Sequence, residues 1–152
     1  MLRAINDAGL NLIKSFEGLR LNAYQDVRGI WTIGYGHIRA VRPGMTITEQ
    51  QATQFLQQDL ADTEAAVDSM TSAAPTTNNQ YAAMVSLCFN IGRGNFQSSS
   101  VLRLHVARDY TSAADAFLLW DKSHVDGQLV EVQGLLNRRR AERDLYLTQD
   151  PM

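Results

Sequence analysis

Apolar residues recur at helical spacing over residues 8–17, where Leu10, Leu12, Ile13 and Phe16 follow one pattern that stops at Gly18. A helix there carries Glu17 to its C-terminal end. Over residues 19–37 the pattern changes to β-formers. Ala23 and Tyr24 precede the turn Asp26-Val27-Arg28-Gly29, and Ile30, Trp31, Thr32, Ile33 and Tyr35 follow it. Gly29 suits the left-handed position that closes a short loop, so this segment reads as a hairpin. After the break at Pro43-Gly44, Thr48 and Gln51 form a capping box, with Ile47 placed to staple onto Ala52. Ala52, Phe55, Leu56, Leu60, Thr63, Val67 and Met70 then keep to one face of a helix of about twenty residues. The small, polar stretch 71–79, with Pro75 inside it, is the best internal boundary. Residues 80–90, 100–107, 111–120 and 132–146 read as helices separated by Gly92 and Gly94, by Asp109 and by a loop at Gly127. The C-terminal half is therefore expected to be all-helical.

Composition narrows what such a chain does. Its 152 residues suffice for one domain that buries its own core, and no apolar run is long enough to cross a bilayer. No stable membrane insertion and no nucleic-acid partner are expected. The opening residues lack a basic segment followed by an apolar block, so synthesis in the cytosol is the expectation. The single cysteine, Cys88, lies in an apolar run and reads as a small buried hydrophobe. Its count excludes an intramolecular disulfide. Three histidines without an HExxH spacing imply no metal site, no cofactor and no zinc peptidase; His105 and His124 fall on separate segments read as helical. No serine sits in a G-x-S-x-G elbow. The net charge of −2 conceals a cluster of Arg138, Arg139, Arg140 and Arg143. That cluster reads as a solvated face, as a basic wall beside an anionic substrate, or as a partner for a buried carboxylate.

Among the acidic residues, most fall on polar helix faces, but Glu17 ends an otherwise apolar helix beside Phe16. Partial desolvation there favours the proton-carrying form that an acid catalyst needs. Hydrolysis of a glycosidic bond needs such an acid and a second carboxylate to activate water or to attack. On residue type alone, Asp26 is an ordinary turn former and Thr32 an ordinary strand residue.

The run from Glu17 to His37 resembles the phage-type lysozyme (endolysin, muramidase) signature: E-G, a spacer, Y-x-D, then G-x-x-T-x-G-x-G-H. Glu17-Gly18, Tyr24, Asp26, Gly29, Thr32, Gly34, Gly36 and His37 fill its positions. Residue types and three spacings agree together, which makes the match specific. The resemblance extends to Phe89-Asn90-Ile91-Gly92 with Gly94 and Phe96, and to Gly134-Leu135 with Arg138, Arg139 and Glu142. It implies Glu17 as general acid, with Asp26 and Thr32 holding water on the opposite face of the sugar. Tyr35, His37, Phe89, Asn90, Arg138 and Arg139 become candidate substrate contacts.

The fold implied is α+β and lysozyme-like: a small N-terminal lobe over about residues 17–47 with a β-hairpin, a connecting helix over about 48–70, and an all-helical C-terminal lobe over about 76–148. The activity implied is hydrolysis of β-1,4 bonds between N-acetylmuramic acid and N-acetylglucosamine in the glycan strands of peptidoglycan. The enzyme would act as a monomer without a cofactor, waiting in the host cytoplasm until a holin opens the membrane. Two competing readings are a lytic transglycosylase on the same polymer and a catalytically silent wall-binding module.

Overall fold

A computed structural model describes residues 3–150; residues 1, 2, 151 and 152 lie outside that description. Along the chain come α1 (Asp7–Glu17), β1 (Arg20–Gln25), β2 (Trp31–Gly34), α2 (Glu49–Met70), α3 (Asn78–Ile91), α4 (Arg93–Gln97), α5 (Ser100–Val106) and α6 (Tyr110–Ala116). A 3-10 turn (Phe117–Leu119), β3 (Lys122–Val125), β4 (Gln128–Glu131) and α7 (Gln133–Leu147) complete it. Two antiparallel hairpins among these helices make the fold α+β, as expected. The chain divides into two compact units, Ile13–Asp62 and Met1–Leu12 with Thr63–Met152. Both divisions fall inside helices, α1 and α2, whereas the sequence pattern breaks in the loops. A continuous helix can bury successive turns in different surroundings without interrupting its own periodicity.

In the unit Ile13–Asp62, Tyr24 pairs with Thr32 and Gln25 with Trp31 across the hairpin. On its other edge, β1 meets the segment 45–47: Ala23 N–H donates to the Met45 carbonyl at 2.9 Å and Ile47 N–H to that of Leu21 at 3.0 Å. The strand is thus held from both sides. Ile13, Ile33, Ala52, Leu56 and Leu60 form the buried interior, each large side chain contributing about 2 kcal/mol by leaving water. The expected capping box is present, with Gln51 N–H donating to Thr48 Oγ1 at 3.1 Å and Thr48 N–H to Gln51 Oε1 at 2.9 Å. Gly34 closes β2 at φ +67°, and a Cβ there would lie 3.3 Å from the Ala52 methyl and 3.4 Å from Ile47 Cδ1. The hairpin therefore ends against the start of α2.

In the other unit α3 is central. It is buried from Tyr81 to Cys88 without interruption, which is why its apolar residues do not confine themselves to one stripe. Gly9 of α1 approaches it so closely that an added Cβ would come within 2.6 Å of the Ala82 methyl. Two expectations are corrected here. The C-terminal half is not all-helical, because β3 and β4 pair in register from Lys122↔Glu131 to Val125↔Gln128. Accordingly His124 lies on a strand, not a helix. The strands are four residues each and exposed along almost their whole length, so neither buries an apolar face that would mark it. The signal present was Asp126-Gly127, with φ of 51° and 80°, a dipeptide suited to a two-residue hairpin turn.

Candidate active site

Glu17 is the last residue of α1. Gly18 follows at φ +76°, its N–H donating to the Lys14 carbonyl at 3.1 Å, so the helix closes and the chain turns out into β1. The Glu17 side chain is half-buried. Its Oε1 lies 3.7 Å from where a Cβ on Gly36 would stand, and Gly36 has φ +86°. A side chain at position 36 would therefore stand in van der Waals contact with the carboxyl.

Asp26 performs the turn role that its residue type suggests, and that role fixes its carboxylate. Oδ1 accepts from Arg28 N–H at 2.8 Å and from Ile30 N–H at 2.9 Å, while Asp26 N–H donates to the Ile30 carbonyl at 2.9 Å. The Ile30 N–H is the main influence holding the carboxyl below its usual 3.8; partial desolvation opposes it, and the backbone and guanidinium of Arg28 add to it. Asp26 is therefore an anion at any pH near neutrality. Thr32 is buried and donates its hydroxyl proton to the same Ile30 carbonyl at 2.9 Å. With the proton spoken for, Thr32 Oγ1 presents only lone pairs elsewhere. The backbone of one residue, Ile30, thus orients both, the carboxylate through its N–H and the hydroxyl through its carbonyl.

Tyr35 and His37 are only 6% and 5% exposed. His37 Nδ1 lies 2.9 Å from Asp59 Oδ2, and the imidazole stacks on Phe55 at 4.3 Å between ring centroids. Its backbone exchanges two 2.9 Å bonds with Ile33. The Tyr35 hydroxyl bonds Thr53, burial pushes it up from its ordinary value, and Lys14 Nζ stands 5.6 Å from the ring. Both side chains brace the turn that carries Gly36 against α2. Asp59 and Phe55 were not predicted as partners of His37, since Asp59 reads as part of the polar face of α2 and nothing local links it to residue 37.

A family model described as phage lysozyme matches residues 14–142. The chain belongs to the phage lysozyme family. Among curated relatives it is 44% identical over 149 residues to the endolysin of Salmonella phage P22, covering 95% of this chain and 98% of the relative. It is 43% identical over 142 residues to the endolysin of Acyrthosiphon pisum secondary endosymbiont phage 1, covering 93% and 97%. Among solved structures it is similar to the endolysin from Escherichia coli O157:H7 phage FAHEc1. There the TM-score is 0.90 at 44% identity, over 95% of this chain and 94% of that one.

In this phage-lysozyme chain the remaining candidates lie in the unit that contains α3. Phe89 is half-buried and Asn90 exposed, near the end of α3. Asn90 borders a cavity of about 520 Å³ with Trp120, Lys122, His124 and Leu129. Arg139 also lines that cavity, but both Arg138 and Arg139 are engaged below the surface. They are 4% and 0% exposed and face Glu142, itself fully buried. Arg139 Nε stands 2.7 Å from Glu142 Oε1 as an ion pair without hydrogen-bond alignment, and Arg139 Nη2 donates to Oε2 at 3.1 Å. Arg138 Nε and the Ser86 hydroxyl also reach Oε2. Burial pushes the Glu142 carboxyl up, and the two arginines and Ser86 oppose it. These arginines take the role of partners to a buried carboxylate. Arg143 pairs with Asp115 at 2.9 Å, tying α7 to α6. Burial raises the Cys88 thiol to about 11, which suits a packing residue rather than a nucleophile. Among the described residues no group of three or more metal-ligating side chains comes together.

Proposed function

We propose that this enzyme hydrolyses the β-1,4 bond between N-acetylmuramic acid and N-acetylglucosamine in peptidoglycan. Glu17 gives its proton to the glycosidic oxygen as the bond from the anomeric carbon breaks and positive charge spreads over the ring. Asp26 Oδ2 takes a proton from water whose oxygen attacks the opposite face, and Thr32 Oγ1 accepts that water's other hydrogen. Transfer of the Asp26 proton through solvent back to Glu17 resets the pair. The observation that carries the reading is the shared Ile30 backbone: Asp26 Oδ1 is committed to its N–H and the Thr32 hydroxyl proton to its carbonyl. That leaves Oδ2 and a Thr32 lone pair for the water. A water between sugar and carboxylate implies a carboxyl separation of about 6.5–9.5 Å and inversion of configuration.

Phe89 and Asn90 are the candidate glycan contacts, with Tyr35 and His37 supporting the site from behind. As an endolysin the protein would act on the wall as a monomer, after a holin releases it from the host cytoplasm. The family assignment and the endolysin relatives support action on the cell wall. The test is lysis of outer-membrane-permeabilised cells by wild type and Glu17→Gln. A loss of roughly a hundredfold or more is expected, in line with removal of a general acid. Equal activity of the two would overturn the assignment.

A further inference from the structure

The family signature leaves position 28 open, yet Arg28 touches Asp26 twice. Its N–H donates to Oδ1 at 2.8 Å, and its Nη2 lies 3.4 Å from Oδ2, the oxygen assigned to the water. The two contacts differ in kind. The backbone bond is part of the turn and would survive any substitution that keeps the loop. The guanidinium contact is long, and the Arg28 side chain is 70% exposed against 23% for Asp26. A substitution at Arg28 therefore removes this contact without breaking the turn. The guanidinium nevertheless places a positive charge beside Oδ2, the oxygen that the Ile30 N–H does not bond. Among the described residues Asp26 forms no ion pair with any other cation.

We infer that Arg28 is a positioning residue for hydrolysis: its guanidinium holds Asp26 Oδ2 toward the water site and keeps it charged as the medium acidifies. The inference rests on the reading of Asp26 as the base. Arg28 extends the acidic edge of activity beyond what the Ile30 N–H provides, while the Ile30 backbone sets the carboxylate's orientation. Since the pair is exposed, added salt screens it.

Two measurements separate the inference from the reading beneath it. The first is the pH dependence of kcat/KM on soluble oligosaccharides of alternating N-acetylmuramic acid and N-acetylglucosamine without peptides, for wild type, Arg28→Met and Arg28→Lys. Arg28→Met is expected to move the acid limb to higher pH, lowering the ratio of activity at about pH 3 to that at about pH 7 by up to about threefold. Arg28→Lys, a point charge without the planar fork, is expected to fall between. Salt of about 0.5 M should shift the wild-type limb toward that of Arg28→Met and leave the variant's limb in place. A limb unmoved in Arg28→Met overturns the inference, even if that variant is less stable. The second is NMR titration of the Asp26 carboxyl in wild type and Arg28→Met. A higher midpoint in the variant supports the contact, and identical midpoints refute it, whether or not Asp26 is the base. If Asp26→Asn keeps full activity, the reading of the base fails on its own terms.

Discussion

At the scale of single residues, the proposed mechanism divides roles between side chains that touch the reacting atoms and backbone groups that place them. Thr32→Val keeps the β-branched shape but removes the lone pairs assigned to the water. It should lower kcat about tenfold or more with little change in unfolding midpoint, as steady-state rates and thermal melts would show. Gly36→Ala places a methyl 3.7 Å from Glu17 Oε1 and forces a side chain into φ +86°. That conformation costs about 1–2 kcal/mol. We expect a larger loss of activity than this strain predicts, measured by comparing kcat/KM with the stability change. Residue type alone made Glu17 legible, because a carboxylate ending an apolar helix is out of place on a solvated face. Asp26 and Thr32 were legible only through the spacing of the whole signature. Locally they do what such residues ordinarily do, capping a turn and filling a strand, and the proposed chemistry uses those same contacts.

Among the elements, those with an apolar stripe and a cap were readable. The capping box at Thr48 starts α2, and Thr48→Ala should cost about 1 kcal/mol by denaturant unfolding. The β3–β4 hairpin was missed because exposed four-residue strands follow no burial pattern, which left only Asp126-Gly127 to announce it. Tertiary partners of buried polar groups were also unreadable. His105 is fully buried, with Nδ1 2.7 Å from the Tyr146 hydroxyl and Nε2 2.8 Å from Thr76 Oγ1. The Thr76 hydroxyl also donates to the Ala74 carbonyl at 3.0 Å, so the consistent arrangement has Tyr146 donating to Nδ1 and Nε2 donating to Thr76. A protonated ring cannot accept from Tyr146. Burial lowers His105 from 6.5 to about 4. Its neutral form therefore supports the fold fully above the unfolded value, and that support is lost as pH falls from about 6.5 to about 4. Roughly 1–3 kcal/mol should disappear over that window, and His105→Gln should flatten the pH dependence of the unfolding free energy there. An unchanged slope would contradict the buried neutral histidine.

For the molecule as a whole, the family and fold class follow from the signature, and the phage lysozyme match over residues 14–142 agrees with them. The basic cluster illustrates where sequence stops. Two arginines three and four residues before Glu142 can pair with it on one helix or stand apart in solvent, and only burial decides. Here Arg138, Arg139 and Ser86 converge on a carboxylate with 0% exposure. Glu142→Gln should cost about 3 kcal/mol or more, since it leaves two buried guanidinium groups without their counter-charge. Equilibrium unfolding measures this directly.

The claim on which the mechanism turns is that water, held by Asp26 and Thr32, attacks from the face opposite the proton given by Glu17. Proton NMR of the first products from soluble glycan strands, recorded before mutarotation, tests it most directly. The predicted result is a new reducing end that appears first as the α-anomer. Initial β-anomer, or 1,6-anhydro ends in place of reducing ends, would contradict it.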